Sequence, residues 1–486
     1  MLFNTPEFLL FFPIVAGLFF LLRQRFRWAW LLAASYFFYA CWRPSYLILI
    51  LVSTLVDYFC GLGMEATSSR TRQRLLVGIS IVVNLGFLAA FKYLDFFFSI
   101  YWDTAELFGW SPTRSVIELV LPVGISFYTF QTMSYSLDVF GGRRKAERHL
   151  GYFALYVAFF PQLVAGPIER STRLLPQLRA EHRLVARRVW SGLQLILGGL
   201  FKKVVIADTL AKVVDPVFAS PQGQMGPAIA LATIFFSLQI YCDFSGYSDI
   251  AIGVARVMGF DLMKNFERPY LAISIADFWR RWHISLSTWF RDYLYFPLGG
   301  SRVRPFRQGL NLVVVFAVSG LWHGANWTFI IWGLLHGSYM VVSLLTKSLR
   351  LKVLEGMGIS PESSLLLWFR RATVFSLVCL AWIFFRARSL ADAVYLIRHI
   401  PFGWPQLGQV AGLQAAFQAP LAEPVVLGAL LCLGLLAAHL LGGQEEIWER
   451  LSRQPRFYRW SVYYGLIAAV AIWGNAGGKE FIYFQF

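Results

Sequence analysis

The chain has 486 residues, with 44 Lys and Arg against 27 Asp and Glu, so its formal net charge is +17. Charged residues make up only 15% of it, against about 25% in soluble domains, whereas 57% of the residues are hydrophobic and 17% are aromatic. So few charges do not cover the surface of a water-soluble fold, and a disordered chain would be poor in aromatic residues. The composition therefore predicts an integral membrane protein, and the helical spans considered below make the predicted fold all-α.

The basic residues occur in groups between apolar runs. Three groups stand at Arg23–Arg27, Arg70–Arg74 and Arg143–Arg148, and a fourth at Arg450–Arg459. This placement is typical of cytoplasmic loops and argues against nucleic-acid binding. With an external N-terminus all four groups fall in the cytoplasm. We therefore predict a multi-pass protein of the bacterial cytoplasmic (inner) membrane, in contact with the lipid bilayer, whose N- and C-termini are both extracytoplasmic.

A bilayer core about 30 Å thick requires about 20 helical residues for each crossing. Candidate spans are expected at 7–22, 28–42, 45–64, 75–98, 116–140, 189–206, 226–242, 309–322, 326–346, 372–385, 424–441 and 460–474. Several of these are short, and we expect them to be tilted, broken or enclosed by other helices.

Two segments between the spans have a different character. The apolar segment 152–168 contains Pro161, Gly166 and Pro167 and precedes six arginines, so we expect it to turn back as a re-entrant or interfacial segment. The segment 401–423 is an expected extramembrane loop.

The five cysteines are scattered and lack C-x-x-C spacing, so we expect neither a disulfide framework nor a metal site. Motifs for nucleotide binding, for zinc proteases and for serine hydrolases are missing from the sequence as well.

The polar segment 241–249 joins two apolar runs and contains Asp243 and Asp249 without any basic residue. A carboxylate at membrane depth costs a few kcal/mol. We therefore expect Asp243 and Asp249 to be buried against an interior cavity or a partner; a short surface loop is the alternative.

Two further polar segments contain histidines. Segment 277–293 combines His283 with three Trp, three Arg and two Asp, which is typical either of a site or of an amphipathic helix at the membrane interface. Segment 319–327 places His323 between Gly320 and Gly324, which allow a close backbone approach or a broken helix.

Histidine takes a proton from a hydroxyl near neutral pH, and the hydroxyl then attacks a thioester or ester. We expect His323 to be this base, and His283 to orient it or to stabilise the tetrahedral intermediate. The alternative is that His323 only bonds a backbone carbonyl. His336 is a weaker candidate of the same kind.

Five segments match a known family in order and spacing. The segments 121–127, 160–167, 243–249, 278–285 and 321–324 strongly resemble the membrane-bound O-acyltransferase superfamily. Within it, they are most similar to the bacterial branch that contains the membrane subunit of alginate O-acetylation and the D-alanyl transferase of teichoic acid. The resemblance runs over residues 1 to about 400 and returns in the last six.

The resemblance implies a ring of tilted transmembrane helices with re-entrant segments around a thin central pore that holds the catalytic histidine. That histidine falls on His323, and its polar partner on His283. We expect one domain over 1–486, with a motif core at about 115–340 and an extracytoplasmic tail at 475–486.

The resemblance also implies the reactants. The donor is a cytoplasmic acyl thioester, acetyl-coenzyme A, and no cofactor is bound. The acceptor is an exported polysaccharide, with alginate as the best guess, although cellulose, peptidoglycan and other glycans fit the same core. An extracytoplasmic acetyltransferase or esterase-like protein is the expected partner.

Tyr483 is the only side chain within 481–486 that carries a nucleophilic oxygen. The aromatic ending resembles that of this branch, so Tyr483 is a candidate acyl relay; an interfacial anchor is the alternative. Arg280, Arg281 and Arg291 either bind the phosphates of coenzyme A or are interface charges. Lys202 and Lys203 are interpreted as interface charges.

Two functions from other classes compete with this interpretation. A polysaccharide or lipid-linked substrate transporter or flippase also uses broken helices and buried charges. A scaffold that has lost activity is the third possibility. Because neither needs a general base, the pairing of His283 with His323 favours the enzyme.

Overall fold

The computed structural model describes residues 1–110, 119–405, 422–473 and 481–482, and this part of the chain is built of helices without strands. The helices are, in chain order, α1 (Pro6–Leu21), α2 (Gln24–Ala40), α3 (Leu47–Ala66), α4 (Arg70–Leu88), α5 (Leu94–Leu107), α6 (Ile125–Phe140), α7 (Leu150–Ala158), α8 (Phe160–Leu163), α9 (Ser171–Arg179), α10 (Ala186–Leu200), α11 (Asp208–Ala219), α12 (Gly226–Val257), α13 (Ile275–Arg281), α14 (Ile284–Phe290), α15 (Pro305–His323), α16 (Trp327–Leu345), α17 (Lys347–Gly356), α18 (Ser364–Arg386) and α19 (Leu390–His399). Three more helices follow, Ala422–Leu441, Gln444–Ser452 and Arg456–Trp473.

Seven helices within the described residues are long and apolar enough to cross a membrane, which confirms an all-α, multi-pass membrane protein. They are Pro44–Ala66, Arg70–Leu107, Ala186–Ala219, Gly226–Val257, Trp327–Leu345, Ser364–Arg386 and Glu423–Leu441. Two of them are single long helices because π-helical turns at Ala89–Tyr93 and Phe201–Ala207 join α4 to α5 and α10 to α11.

Several expected spans end at other residues than predicted; for example, the helices that contain 75–98 and 189–206 continue to Leu107 and Ala219. Two further differences have a local cause. Helix α12 does not end near 242 but continues to Val257, because the carboxylate at Asp243 is paired inside the protein and does not break the helix. The expected span 116–140 becomes helical only at Ile125, after Pro122 and a left-handed Gly124 (φ +80°). Residues 111–118 lie outside the described part.

The segment 152–168 is broken, as its prolines and glycines predicted: α7 ends at Ala158, and only the four residues of α8 follow before an irregular stretch. Its position relative to a bilayer stays a prediction. Most of the expected loop 401–423 and of the tail 475–486, including Tyr483, lies outside the described residues.

The chain divides into two compact units, one of residues 1–196 and 248–264 and the other of residues 197–247 and 265–486. In the first unit a buried carboxylate connects three helices. Asp57 of α3 accepts hydrogen bonds from Asn84 of α4 (2.8 Å), from Ser80 of the same helix and from Ser136 of α6 (2.7 Å). Such interhelical bonds replace the hydration that a membrane interior does not offer.

The second unit contains both His283 and His323. Its core is rich in large aromatic side chains, among which Trp282, Trp332 and Trp382 are fully buried. These rings pack on one another, with centroids 5.1 Å apart for Trp282 and Trp382 and 5.8 Å apart for Trp332 and Trp382. This cluster of packed rings reaches the candidate site through Trp332, whose ring centroid is 4.7 Å from that of His323.

Candidate active site

His323 is the last residue of α15, and α16 begins four residues later at Trp327. The helix break expected between the two apolar runs is therefore present. The two helices pack closely because a Cβ at Gly320 would collide with the backbone carbonyl oxygen of Phe329. Asn326 caps α16, with its side-chain oxygen 3.0 Å from the amide nitrogen of Thr328. Close packing and capping fix the position of the His323 backbone.

The His323 ring is buried, and its Nδ1 lies 2.6 Å from the carbonyl oxygen of Ser319. A carbonyl only accepts, so Nδ1 carries the proton and Nε2 keeps its lone pair. Trp332 and Phe385 surround the ring with centroid distances of 4.7 and 5.6 Å. The hydrogen bond to a backbone carbonyl, which we considered as the alternative to catalysis, is thus present. The same bond also sets the tautomer that a general base requires.

His283 is fully buried between α13 and α14 and has a left-handed backbone (φ +42°). For a residue with a Cβ this conformation costs about 1–2 kcal/mol, and such strain is concentrated at functional sites. The segment 277–293 is therefore not one interfacial amphipathic helix. It is two short helices, and its tryptophans, Trp279, Trp282 and Trp289, are buried inside the unit.

Asn265 holds the strained turn in place. Its carbonyl oxygen accepts a hydrogen bond from the Ile284 amide at 2.9 Å. Its side-chain oxygen accepts one from the Ser285 hydroxyl at 2.7 Å and one from the Ser285 amide at 3.3 Å. Asn265 was not predicted from the sequence, because nothing in a single asparagine eighteen residues upstream indicates a contact with the turn at His283.

The rings of His283 and His323 are 6.4 Å apart between centroids and inclined by 76°. This separation exceeds that of two imidazoles joined by a direct hydrogen bond. The ring of Trp322 lies close to both, with centroids 5.9 Å from His283 and 4.9 Å from His323. His283 lies outside the seven candidate spans. Burial, reinforced by the nearby His323, holds its pKa well below the usual value, so His283 is neutral near pH 7.

His336 packs against the rings of Trp279 and Trp332. Its ring centroid is 5.1 Å from that of Trp332, and its Nδ1 accepts a hydrogen bond from the Trp279 indole at 3.2 Å. His336 therefore contacts the same Trp332 ring as His323. A role for His336 as a further base stays a prediction.

Asp243 lies within α12 and is buried, so the surface-loop alternative is wrong. Lys203 is buried as well, with Nζ 2.6 Å from Asp243 and 3.1 Å from Asp208. The interpretation of Lys203 as an interface charge is therefore wrong, whereas Lys202 is half-buried and donates to Gln444 at 3.1 Å.

Asp249, which we also expected to be buried, is only half-buried. It follows Asp243 by six residues, which turns it by about 240° around the helix axis. The two carboxylates therefore point to different faces of α12.

The three arginines considered for donor binding have different surroundings. Arg281 pairs with Asp277 and Arg291 with Asp292, both at 2.9 Å, and Arg280 is exposed. The exposed and half-exposed guanidinium groups remain accessible to an anion. Their role in binding coenzyme A stays a prediction.

Comparison with known proteins gives the class. The model of the membrane-bound O-acyltransferase family matches residues 143–353. A Pseudomonas aeruginosa protein named probable alginate O-acetylase is 42% identical over 81% of this chain and 73% of its own length. The peptidoglycan O-acetyltransferase of Helicobacter pylori is 36% identical over 82% and 79%. The teichoic acid D-alanyltransferase of Bacillus subtilis is 28% identical over 46% and 58%.

The chain therefore belongs to the membrane-bound O-acyltransferase family. It is a multi-pass membrane enzyme that transfers acyl groups to oxygen, and the expected resemblance is confirmed.

Proposed function

We propose that the chain transfers an acetyl group from cytoplasmic acetyl-coenzyme A, across the cytoplasmic membrane, to an exported polysaccharide. Alginate is the first candidate acceptor, because a relative with 42% identity is named for alginate acetylation. Peptidoglycan is the second, since a relative with 36% identity over a similar share of the chain is named for it. The expected termini on the outer side and the tunnel through a thin centre belong to this proposal.

The geometry of His323 is the observation that carries the proposed chemistry. The Ser319 carbonyl accepts the Nδ1–H, which sets the tautomer in which Nε2 carries the lone pair of a base. In the proposed step Nε2 removes the proton of an acceptor hydroxyl, whose oxygen attacks the carbonyl carbon of the acetyl thioester. The tetrahedral intermediate then collapses, the C–S bond breaks, and the coenzyme A thiolate takes the proton from the imidazolium.

His283 is placed to assist this step. As a neutral imidazole it has one N–H to donate, and its ring centroid is 6.4 Å from that of His323. In the proposed mechanism the reacting carbonyl is bound within reach of both rings. A donor at that position stabilises the oxyanion of the tetrahedral intermediate. The strained backbone of His283 fixes this donor before the substrate arrives.

Tyr483 is the proposed first acceptor. Its hydroxyl would take the acetyl group from the thioester and pass it as a phenyl ester to the extracytoplasmic acetyltransferase or esterase-like partner, which would acetylate the polymer. Tyr483 itself lies outside the described residues. Its neighbours Phe481 and Ile482 are buried, which supports a C-terminal segment that enters the protein.

Family membership favours this enzyme over the transporter and the inactive scaffold. The acceptor is tested in cells that lack their own enzyme and receive the wild-type chain or His323→Gln. We expect O-acetyl groups on exported alginate only with the wild type. O-acetyl groups on peptidoglycan alone would move the assignment to that polymer, and an unmodified cell surface in every strain would contradict the proposal.

A further inference from the structure

The C-terminal segment is held by a buried ion pair. The amide of Ile482 donates a hydrogen bond to Oδ2 of Asp243 at 2.9 Å, whereas Oδ1 of the same carboxylate binds Lys203. The ring of Phe481 packs edge-on against Tyr247, with centroids 4.3 Å apart, and lies 4.8 Å from Nζ of Lys203. One carboxylate and one ammonium group thus contact two consecutive tail residues.

Two features of the backbone, a π-helical turn and a glycine, allow Lys203 and Asp243 to come together. Lys203 lies in the π-helical turn Phe201–Ala207, and π-helical turns occur frequently at functional sites. A Cβ at Gly246 of α12 would come within 2.7 Å of the Gly199 carbonyl oxygen and within 3.1 Å of the Lys203 amide nitrogen. The absence of a side chain at Gly246 therefore lets α12 approach the turn closely enough for Asp243 to reach Lys203.

A buried ion pair is weak evidence for a purely stabilising role, since a protein in which well-packed apolar residues replace such a pair is often equally stable. Ionisable groups at membrane depth are expected to be functional. Here the pair leaves one carboxylate oxygen for a backbone donor from a distant part of the chain. Every residue except proline has a backbone amide, so the bond to Asp243 does not select a particular tail sequence. The contacts of the Phe481 ring with Tyr247 and Lys203 supply that selectivity.

We propose that Asp243 and Lys203 are positioning residues that dock the C-terminal segment and hold Tyr483 for acetyl transfer. The positioning role rests on the proposed function of Tyr483, whereas the docking itself does not. Tyr483 directly follows Ile482 in the sequence, so the proposed relay residue is next to the residue whose amide Asp243 binds. Release of the segment should therefore lower kcat and leave KM for acetyl-coenzyme A unchanged.

Docking is tested by hydrogen–deuterium exchange of the full-length protein in nanodiscs, followed on the C-terminal peptide. The double variant Lys203→Met/Asp243→Leu removes the acceptor together with both charges of the pair, whereas Asp243→Ala would leave the ammonium group of Lys203 buried. Asp208, the second partner of Lys203, loses its cation in the double variant, but its side chain is 16% exposed and reaches solvent. We expect exchange of the Ile482 amide to accelerate about tenfold or more. The matched control is Asp215→Asn, which breaks an ion pair with Arg386 elsewhere in the same unit and should not accelerate exchange.

Positioning is tested by comparing Ile482→Pro with Ile482→Ala in the transfer of labelled acetyl from acetyl-coenzyme A to Tyr483. Both variants lose the isoleucine side chain, but only the alanine variant keeps the amide. We expect kcat to be about tenfold lower in the proline variant than in the alanine variant, at equal KM.

The outcomes separate docking from positioning. Equal exchange in the wild type and the double variant would overturn the docking. Accelerated exchange without any loss of kcat would overturn the positioning role. A protected Ile482 amide in a wild-type protein that never labels Tyr483 would overturn the relay, and the positioning role with it, while the docked segment would stand.

Discussion

The Nδ1 atom of His323 lies 2.6 Å from the carbonyl oxygen of Ser319, one helical turn earlier in α15. Helix α15 ends at this histidine, so the bond fixes the ring at the helix terminus and sets the tautomer in which Nε2 carries the lone pair. His283 approaches from a strained turn in another part of the unit, 6.4 Å away between ring centroids. The proposed mechanism depends on this arrangement.

Removal of His323 should abolish turnover. His323→Gln keeps a polar side chain but no base, so we expect kcat to fall by about 10²–10⁴-fold. Acetyl-coenzyme A hydrolysis and transfer are measured on the purified protein. The matched control is His399→Gln, since His399 makes the same bond to the carbonyl four residues earlier (Tyr395, 2.8 Å) but lies in α19. Equal loss in both variants would contradict a catalytic role.

The turn at His283 should depend on Asn265. Asn265→Ala removes the side-chain acceptor of the Ser285 hydroxyl and amide, whereas Ser285→Ala removes only the hydroxyl donor. We expect kcat to fall in both variants and further in Asn265→Ala, while KM for acetyl-coenzyme A changes little. Steady-state kinetics checks the order. Full activity in Asn265→Ala would mean that the turn needs no such support.

The close packing of α15 and α16 predicts a strong effect at one glycine. In Gly320→Ala the new Cβ meets the Phe329 carbonyl, so we expect a loss of about 1–3 kcal/mol in stability and reduced activity. Gly434→Ala, in the helix Ala422–Leu441, meets no atom within 4 Å and should be neutral or slightly stabilising. Thermal unfolding in detergent compares the two. Similar melting temperatures would contradict the packing.

Stability should fall in mild acid because of His283. Its folded-state pKa is lowered by burial, whereas the unfolded chain has the ordinary value of about 6.5. Above pH 6.5 both states are neutral and the stability is full; as the pH falls below 6.5 the unfolded state gains protons first and stability is lost. We expect the melting temperature to decrease from pH 7 to pH 5 in the wild type and less steeply in His283→Gln. Parallel curves would contradict the shift.

The sequence predicted those features that depend on local pattern. The break after His323 follows from Gly324 and the polar residues beside it, and the break after Ala158 follows from Pro161 and Gly166. These residues act on their own backbone, so their effect is visible without a fold. The same holds for the apolar runs, whose length sets the spans.

Features that depend on distant pairing were missed or misjudged. Asp243 and Lys203 are forty residues apart, and only the fold shows that the charge of each compensates that of the other. Because of this pairing, α12 continues through a carboxylate. For the same reason Lys203 is not an interface charge. Asn265 likewise acts on His283 through a turn of the chain that no spacing rule describes. Burial of charge is a property of pairs, and one sequence does not reveal the pairs.

The proposed chemistry is tested most directly by the consumption of radiolabelled acetyl-coenzyme A by the purified protein in nanodiscs. Wild type, His323→Ala, the control His399→Gln and Tyr483→Phe are compared, and the label on the protein is mapped by peptide. The mechanism predicts thioester loss in the wild type and in His399→Gln, no loss in His323→Ala, and label at residue 483 that vanishes in Tyr483→Phe. Thioester loss that persists in His323→Ala would contradict the mechanism.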